Sequence, residues 1–427
     1  MPQAETSGPV FSIRRPQSVR TTHCCSAMAE PLSIQQNSQN PPAQPAYVLR
    51  GHSAQIHAVH FLRENSQLLT GDADGWVVLW NTATKRPDAV WKPHKTTILG
   101  VGNWGEDKII THGRDDKLHV WQLRPEDATT LSKTLPIDDS STDNRPQPWL
   151  LHSLDVNALN FCSFTSCLDP ISSSAPSSQN LLIAVPGLQD GHINLTSLPN
   201  EDRIATIPSP KESDTGMVMA IRLVFLPTVA NSNPQLLILA GYEGGNVCVW
   251  SRPKSASNTA TSHFQLIYSQ KSHAQPVLSL DIALAQGTFY TSSADAIVAR
   301  HPLLLTSALS TRTVQTKHAG QQGLTVRTDE KIFATAGWDG RMRVYSVKTM
   351  KELAVLKWHG EGCYAVSFAE IVDGSELEGD GQTAQIEKEV VERKALTVAQ
   401  KREEKARNTH WLAAGSKDGK VSLWEIY

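Results

Sequence analysis

The chain has 427 residues, with 40 Lys and Arg against 42 Asp and Glu and a formal net charge of −2. That balance lacks the basic excess that sequence-independent binding to nucleic acid or to an anionic membrane requires. Hydrophobic residues make up 40% of the chain, enough for a sizeable core, and its 6 cysteines are too irregular for a secreted disulfide framework, so a reducing compartment is expected.

Residues 1–44 are rich in Ser, Gln, Pro and Asn, with little that packs, and read as a disordered tail. Arg14, Arg15 and Arg20 precede no apolar stretch of signal-peptide type. From residue 45 onward a repeat takes over. Its first copy opens at Gly51-His52, passes Leu69-Thr70-Gly71-Asp72-Ala73-Asp74-Gly75 and ends at Val77-Val78-Leu79-Trp80. The second runs from His94 through Thr111-His112-Gly113-Arg114-Asp115-Asp116 to Val120-Trp121. Within it, Gly100 to Gly105 formally spells a dinucleotide-binding glycine pattern. The strand-like Lys108-Ile109-Ile110-Thr111 follows where a helix is required, so the segment reads as a hairpin.

Farther on, the stretch around 136–148 and the Ser-rich stretch 170–179 read as loop insertions. Cys162 and Cys167 lack a second pair of ligands and read as ordinary thiols, with no metal site. A degraded third copy spans Leu181 to Leu198, with Asp190-Gly191 at the turn and Thr196 where Trp is expected. The fourth spans Leu236 to Trp250, with Gly244-Gly245 at its turn. The fifth has His273, Thr291 and Asp295, and His301 in the Trp place; the sixth has His318, Thr335, Asp339-Gly340 and Tyr345. The seventh has His359, Asp418-Gly419 and Trp424, split by a charged insertion at 371–408. Apolar runs such as Leu236 to Ala240 are strand-sized, far short of a membrane span.

Trp80 to Trp121 spans 41 residues and His301 to Tyr345 spans 44, and the longer intervals contain the insertions. A period of about 40–45 residues, with four short strands in each copy, resembles that of WD-repeat propeller blades. Val77, Val78 and Leu79 are apolar on both faces, as suits a strand covered by neighbours on each side. The expected fold is all-β, a seven-bladed WD-repeat β-propeller over 45–427. Tyr427 follows Trp424 too soon for a last strand. The stretch Tyr47-Val48-Leu49-Arg50 parallels Ala354-Val355-Leu356-Lys357, the strand before the seventh copy, so residues 46–50 are expected to close the ring against 420–425.

His52, Thr70, Asp74 and Trp80 resemble the structural tetrad of WD-repeat blades, in which carboxylate, imidazole, hydroxyl and indole satisfy one another without water. A hydrolase triad uses the same residue types but occurs once, whereas this set recurs, so no catalytic residue and no cofactor is expected. The insertion 371–408 begins with Asp373, Glu376, Glu378 and Asp380. From Gln385 to Asn408 it mixes both charges around Ile386, Val390 and Leu396, which predicts a solvated helix. Two readings stand for it, a tolerated surface loop and a partner-docking helix. In blades of this type the residue before the turn Asp faces outward. Trp and Arg favour interfaces, so Arg114, Trp338 and Lys417 are the candidate partner-binding residues, with packing on a neighbouring loop the alternative for Trp338.

The stretch Pro45 to His52, the run Leu68 to Trp80, Ile109 to Asp115, Pro148-Trp149-Leu150-Leu151-His152-Ser153-Leu154-Asp155-Val156-Asn157 and Ala336-Gly337-Trp338-Asp339-Gly340-Arg341 resemble the fungal ASTRA-associated protein 1 family. They are also similar to the animal G-protein β-subunit-like WD protein. The resemblance covers about 45–427. It implies a non-catalytic subunit of the ASTRA assembly, in the nucleus with the cytoplasm as a second location, monomeric within a hetero-complex. It further implies a link to chromatin remodelling and to maturation of phosphatidylinositol-3-kinase-related kinases. The implied partners are other ASTRA subunits and kinase cochaperone proteins, with no direct nucleic acid and no membrane. A substrate adaptor of another assembly, such as a ubiquitin ligase, is the alternative, because propellers serve there equally well.

Overall fold

In a computed structural model, the described residues are 43–138, 145–170, 179–211, 215–226, 234–252, 264–303, 310–371 and 396–427. They form seven four-stranded antiparallel sheets arranged as blades. Blade 1 comprises Ile56–Leu62, Gln67–Asp72, Val77–Asn81 and Pro87–Trp91; blade 2 runs from Ile98–Trp104 to Trp149–Asp155. Blades 3 to 6 open with Thr165–Leu168, Val218–Leu226, Val277–Ala283 and Gln321–Val326. The expected disordered tail lies outside the described residues, apart from its last two positions. Among the described residues no helix is long and apolar enough to cross a membrane.

Blade 7 takes Cys363–Phe368, Trp411–Ser416 and Lys420–Glu425 from the end of the chain, and its outer strand Tyr47–Arg50 from the beginning. Tyr47 pairs with Leu423, Leu49 with Val421 and Arg50 with Lys420. The ring closes by the N-terminal strand, and an edge of unpaired backbone groups is thereby covered.

The core lies between blades. Leu49, Ile56, Trp80, Trp411 and Leu423 form one buried cluster across the closing seam, and Leu69, Leu79, Trp91, Ile98 and Ile109 form the next. Val77, Val78 and Leu79 are fully buried, because each face of their strand meets another blade. In six blades the inner strand carries an irregularity at its start, as between Ile56 and Ala58 or between Gln321 and Gly323, which bends the strand where it enters the channel.

Two connections carry extra structure. After Gln122 the chain of blade 2 crosses the outer strand of blade 1, where Val90 N–H donates to Ser132 O at 2.7 Å. It then reaches the closing strand, where Ile137 N–H donates to Gly51 O at 3.0 Å and Leu135 packs against Gly51. The insertion in blade 7 ends in a helix, Val398–Asn408. Thr397 caps it: its hydroxyl accepts from Gln400 N–H while the Gln400 side chain accepts from Thr397 N–H. Asn65 holds the far end, donating through Nδ2 to Glu370 O and Arg407 O, and Trp411 Nε1 donates to Ala406 O. The sequence-predicted helix began at Gln385; its part over 385–395 lies outside the described residues.

Candidate interaction surface

The repeated polar residues sit inside the blades. In blade 1, His52 Nδ1–H donates to Asp72 Oδ2 at 2.7 Å, Nε2 accepts from the Thr70 hydroxyl at 2.7 Å, and that hydroxyl accepts from Trp80 Nε1–H at 2.9 Å. The carboxylate is Asp72, not Asp74 as the spacing indicated. Asp72 ends its strand facing His52, and its Oδ1 also accepts from the N–H groups of Asp74 and Trp76, so it caps the turn as well. Asp74 lies at the turn tip, exposed.

Blade 2 follows the expected spacing, with His94 bonded to Asp115 at 2.8 Å and to Thr111 at 2.9 Å, and Trp121 Nε1 donating to Thr111. Burial pushes the Asp115 carboxyl up, but hydrogen bonds from His94 and from Lys95 N–H outweigh it and hold the group at about 2. In blade 5 the Thr291 hydroxyl lies 2.8 Å from His273 Nε2 and 3.0 Å from His301 Nε2, so the second imidazole stands where the indole does elsewhere. In blade 7 the hydroxyl changes strand: Ser422 bridges His359 and Trp424 at 2.9 Å each, and it pairs across the sheet with Ala414.

Blade 6 departs from the expected set. The Thr335 hydroxyl donates to Gln321 Oε1 at 2.7 Å, while Asp339 binds the buried Arg343 guanidinium at 2.6 Å. His318 is left half-buried, 3.6 Å from Asp339. Gln321 and Arg343 stand in for the imidazole because together they offer what its two nitrogens do, an acceptor for the Thr335 hydroxyl and N–H donors for the Asp339 carboxylate. Thr70, Thr111 and Thr291 are fully buried, and no substrate reaches their hydroxyls. The Cys162 and Cys167 thiols are both pushed up to about 12 by burial, which keeps them protonated.

What remains exposed is the rim carrying the turns between second and third strands, here called the upper rim. Trp338 lies on it with 47% of its surface exposed. The indole also packs: its ring covers Gly320, where an added Cβ would fall 2.1 Å from Trp338 Cδ2, and Nε1 donates to Gln322 Oε1 at 2.9 Å. Lys417 joins Trp338 across the seam between blades 6 and 7. Both flank Gly362, whose carbonyl accepts from Lys417 N–H at 2.8 Å, and Lys417 Nζ lies 4.0 Å from Glu361.

Arg114 does not join them. It stands on blade 2, its guanidinium stacked 4.1 Å over the Phe161 ring. Phe161 is 51% exposed, and near it Leu159 and Leu188 are 80% and 84% exposed. Sequence reasoning missed these three: Asn157-Ala158-Leu159-Asn160-Phe161 reads as an ordinary connection until the Asn side chains are seen to fix it, and Leu188 sits in the turn of the degraded third copy.

Comparison with known proteins fits the geometry. The family model described as "WD domain, G-beta repeat" matches residues 43–81 and 406–425, the segments that meet at the closing seam. ASTRA-associated protein 1 of Penicillium rubens is 44% identical, over 90% of this chain and 98% of its own length. That of Aspergillus niger is 45% identical over 91% and 98%, and that of Schizosaccharomyces pombe 30% identical over 90% and 99%. With these relatives matched over about nine-tenths of it and over nearly their own whole length, the chain belongs to the ASTRA-associated protein 1 family of WD-repeat proteins.

Proposed function

We propose that this chain is a non-catalytic, nuclear WD-repeat subunit of an ASTRA-type assembly. It serves chromatin remodelling and the maturation of phosphatidylinositol-3-kinase-related kinases by holding partner proteins on its upper rim. The observation that carries the reading is the near end-to-end match to relatives named ASTRA-associated protein 1. Two physical features agree with it. The hydroxyl-imidazole-carboxylate sets are buried fasteners, and the rim exposes an aromatic, cations and apolar side chains. Trp338, Lys417 and Arg114 are the proposed contacts. They lie in two groups, so a partner engaging all three spans several blades.

The test is affinity purification of the full chain with mass spectrometry, together with microscopy of a fluorescent fusion. Recovery of ASTRA subunits and kinase cochaperones, with nuclear signal, is the expected result; recovery of cullin-linked adaptors instead overturns it. Trp338→Ala removes a half-exposed indole from outside the blade cores. It is expected to reduce partner recovery several-fold while the Tm stays within a few degrees of the parent. Undiminished recovery places the contact elsewhere.

A further inference from the structure

The upper rim of blades 1 to 3 carries a continuous strip with two chemistries. Its first part surrounds a cavity of about 610 Å³ lined by Trp76, Lys92, Lys95, Thr97 and Ile137, with Asp74 as the acidic member of the lining. Thr97 ties this part together, its hydroxyl donating to Ala73 O at 3.2 Å and its carbonyl accepting from Arg114 N–H at 2.9 Å. Arg114 then stacks on Phe161, the start of the second part. There Asn157 Nδ2 donates to Gly187 O at 2.8 Å, which brings Leu159 and Leu188 to the same place.

The apolar side chains of this strip are presented by an ordered loop. Asn157 Oδ1 accepts from Leu159 N–H at 2.9 Å, and the buried Asn160 accepts from Cys162 N–H at 2.7 Å. The loop fixed in this way holds Leu159 and Phe161 in water, and the Asn157 bond to Gly187 O sets Leu188, on the turn of blade 3, beside them, an arrangement that marks an interaction site. Beside them, Lys92, Lys95 and Arg114 form no ion pair among the described residues; the nearby Asp116 sits 3.9 Å from Lys117.

We infer that this strip receives an acidic, amphipathic segment of a partner protein. Its carboxylates meet Lys92, Lys95 and Arg114, and its large apolar side chains cover Leu159, Phe161 and Leu188. Charge complementarity sets the acidic character. The stacked guanidinium keeps its donor edges free for a carboxylate fork, and the two lysines extend that field along the strip. Two of the three apolar groups are leucines, which offer no stacking platform for bases, so the strip favours a polypeptide over a nucleic acid. The inference rests on the scaffold reading and names the chemistry of one partner segment.

The experiment places p-benzoylphenylalanine at Leu159 or at Leu188 of the full chain, expressed in its own cells, with Leu353 on the outer strand of blade 6 as control. After irradiation the adducts are digested and sequenced. Both strip positions are expected to capture one partner segment that carries several Asp or Glu among apolar residues. Arg114→Glu is expected to lower that yield at least about tenfold at unchanged Tm, as for an interface anchor. Several results overturn the inference: adducts to a second copy of this chain, to its own acidic insertion, to nucleic acid, or to a segment without carboxylates. Equal capture at Leu353, or no capture while the assembly still copurifies, does so too. Failure of the scaffold reading shows separately, as loss of the copurifying ASTRA subunits from the parent chain.

Discussion

A single hydroxyl between an imidazole and an indole recurs in blades 1, 2 and 7, and its worth comes from burial. Each bond contributes about 0.5–1.5 kcal/mol net, but removing the hydroxyl leaves two buried groups unpaired and costs more. Blade 7 shows that position in space matters, not position in the repeat. Ser422 supplies the hydroxyl from the third strand, directly across from Ala414 on the second, where blade 1 has Thr70 across from Val78. Ser422→Val is therefore expected to lower stability by about 1–3 kcal/mol. Adding Ala414→Thr in the same chain moves the hydroxyl back to the second strand and is expected to recover part of the loss. Urea unfolding of the two variants checks this, and a double variant no more stable than the single one refutes it. At this scale the sequence was partly readable. Spacing picks out His52, Thr70 and Trp80, because the repeat aligns them. It selects Asp74, which stands before Trp80 as Asp115 stands before Trp121, whereas the carboxylate that meets His52 is Asp72, because it is Asp72 that ends the strand facing the imidazole. Spacing also does not reveal that Gln321 replaces His318, which follows from where Arg343 is buried.

Strands and turns were more legible than the side-chain partners, because hydrophobic runs and Gly-containing turns are local signals. The turn glycines do more than allow a left-handed backbone. Gly419 has φ +72°, and an added Cβ would sit 2.8 Å from the carbonyl oxygen of His52, on the neighbouring blade. A turn in blade 7 thus rests against the residue that opens the tetrad of blade 1. Gly419→Ala combines left-handed strain with that close approach and is expected to cost about 2 kcal/mol or more, measured as a lower urea midpoint. The helix of the insertion was expected from composition, and its start was written in Thr397-x-x-Gln400. Its fastening to Asn65 was not, since that contact joins residues far apart in sequence.

For the whole molecule, closure decides stability. Once the repeat was counted, the missing fourth strand of the last blade and the spare strand at the start implied each other. Removing residues 45–51 takes away the partner of residues 420–423, deletes Leu49 from the seam cluster and uncovers its neighbours Trp411 and Leu423. That deletion is expected to lower the Tm of the entire propeller in one transition, as calorimetry will show; an unchanged Tm refutes the closure argument. The insertions were recognisable as interruptions, but their destinations were not, because a loop carries no periodic signal of where it lands.

The connection of blade 2 that crosses Val90 and ends against Gly51 changes how such a ring comes apart. In a propeller joined only by its two termini, fraying of the outermost strand is the low-barrier event, and it exposes the seam to proteases and to other chains. Here the strand that would fray has a third piece of chain bonded to its end, contributed by a blade that is not at the seam. Opening therefore couples to the release of Leu135 and Ile137, so the lifetime of the closed ring is governed by a segment remote in sequence from both termini. The free energy of the seam and the rate at which it opens become separately tunable, the first through Leu49 and Val421 and the second through the crossing segment.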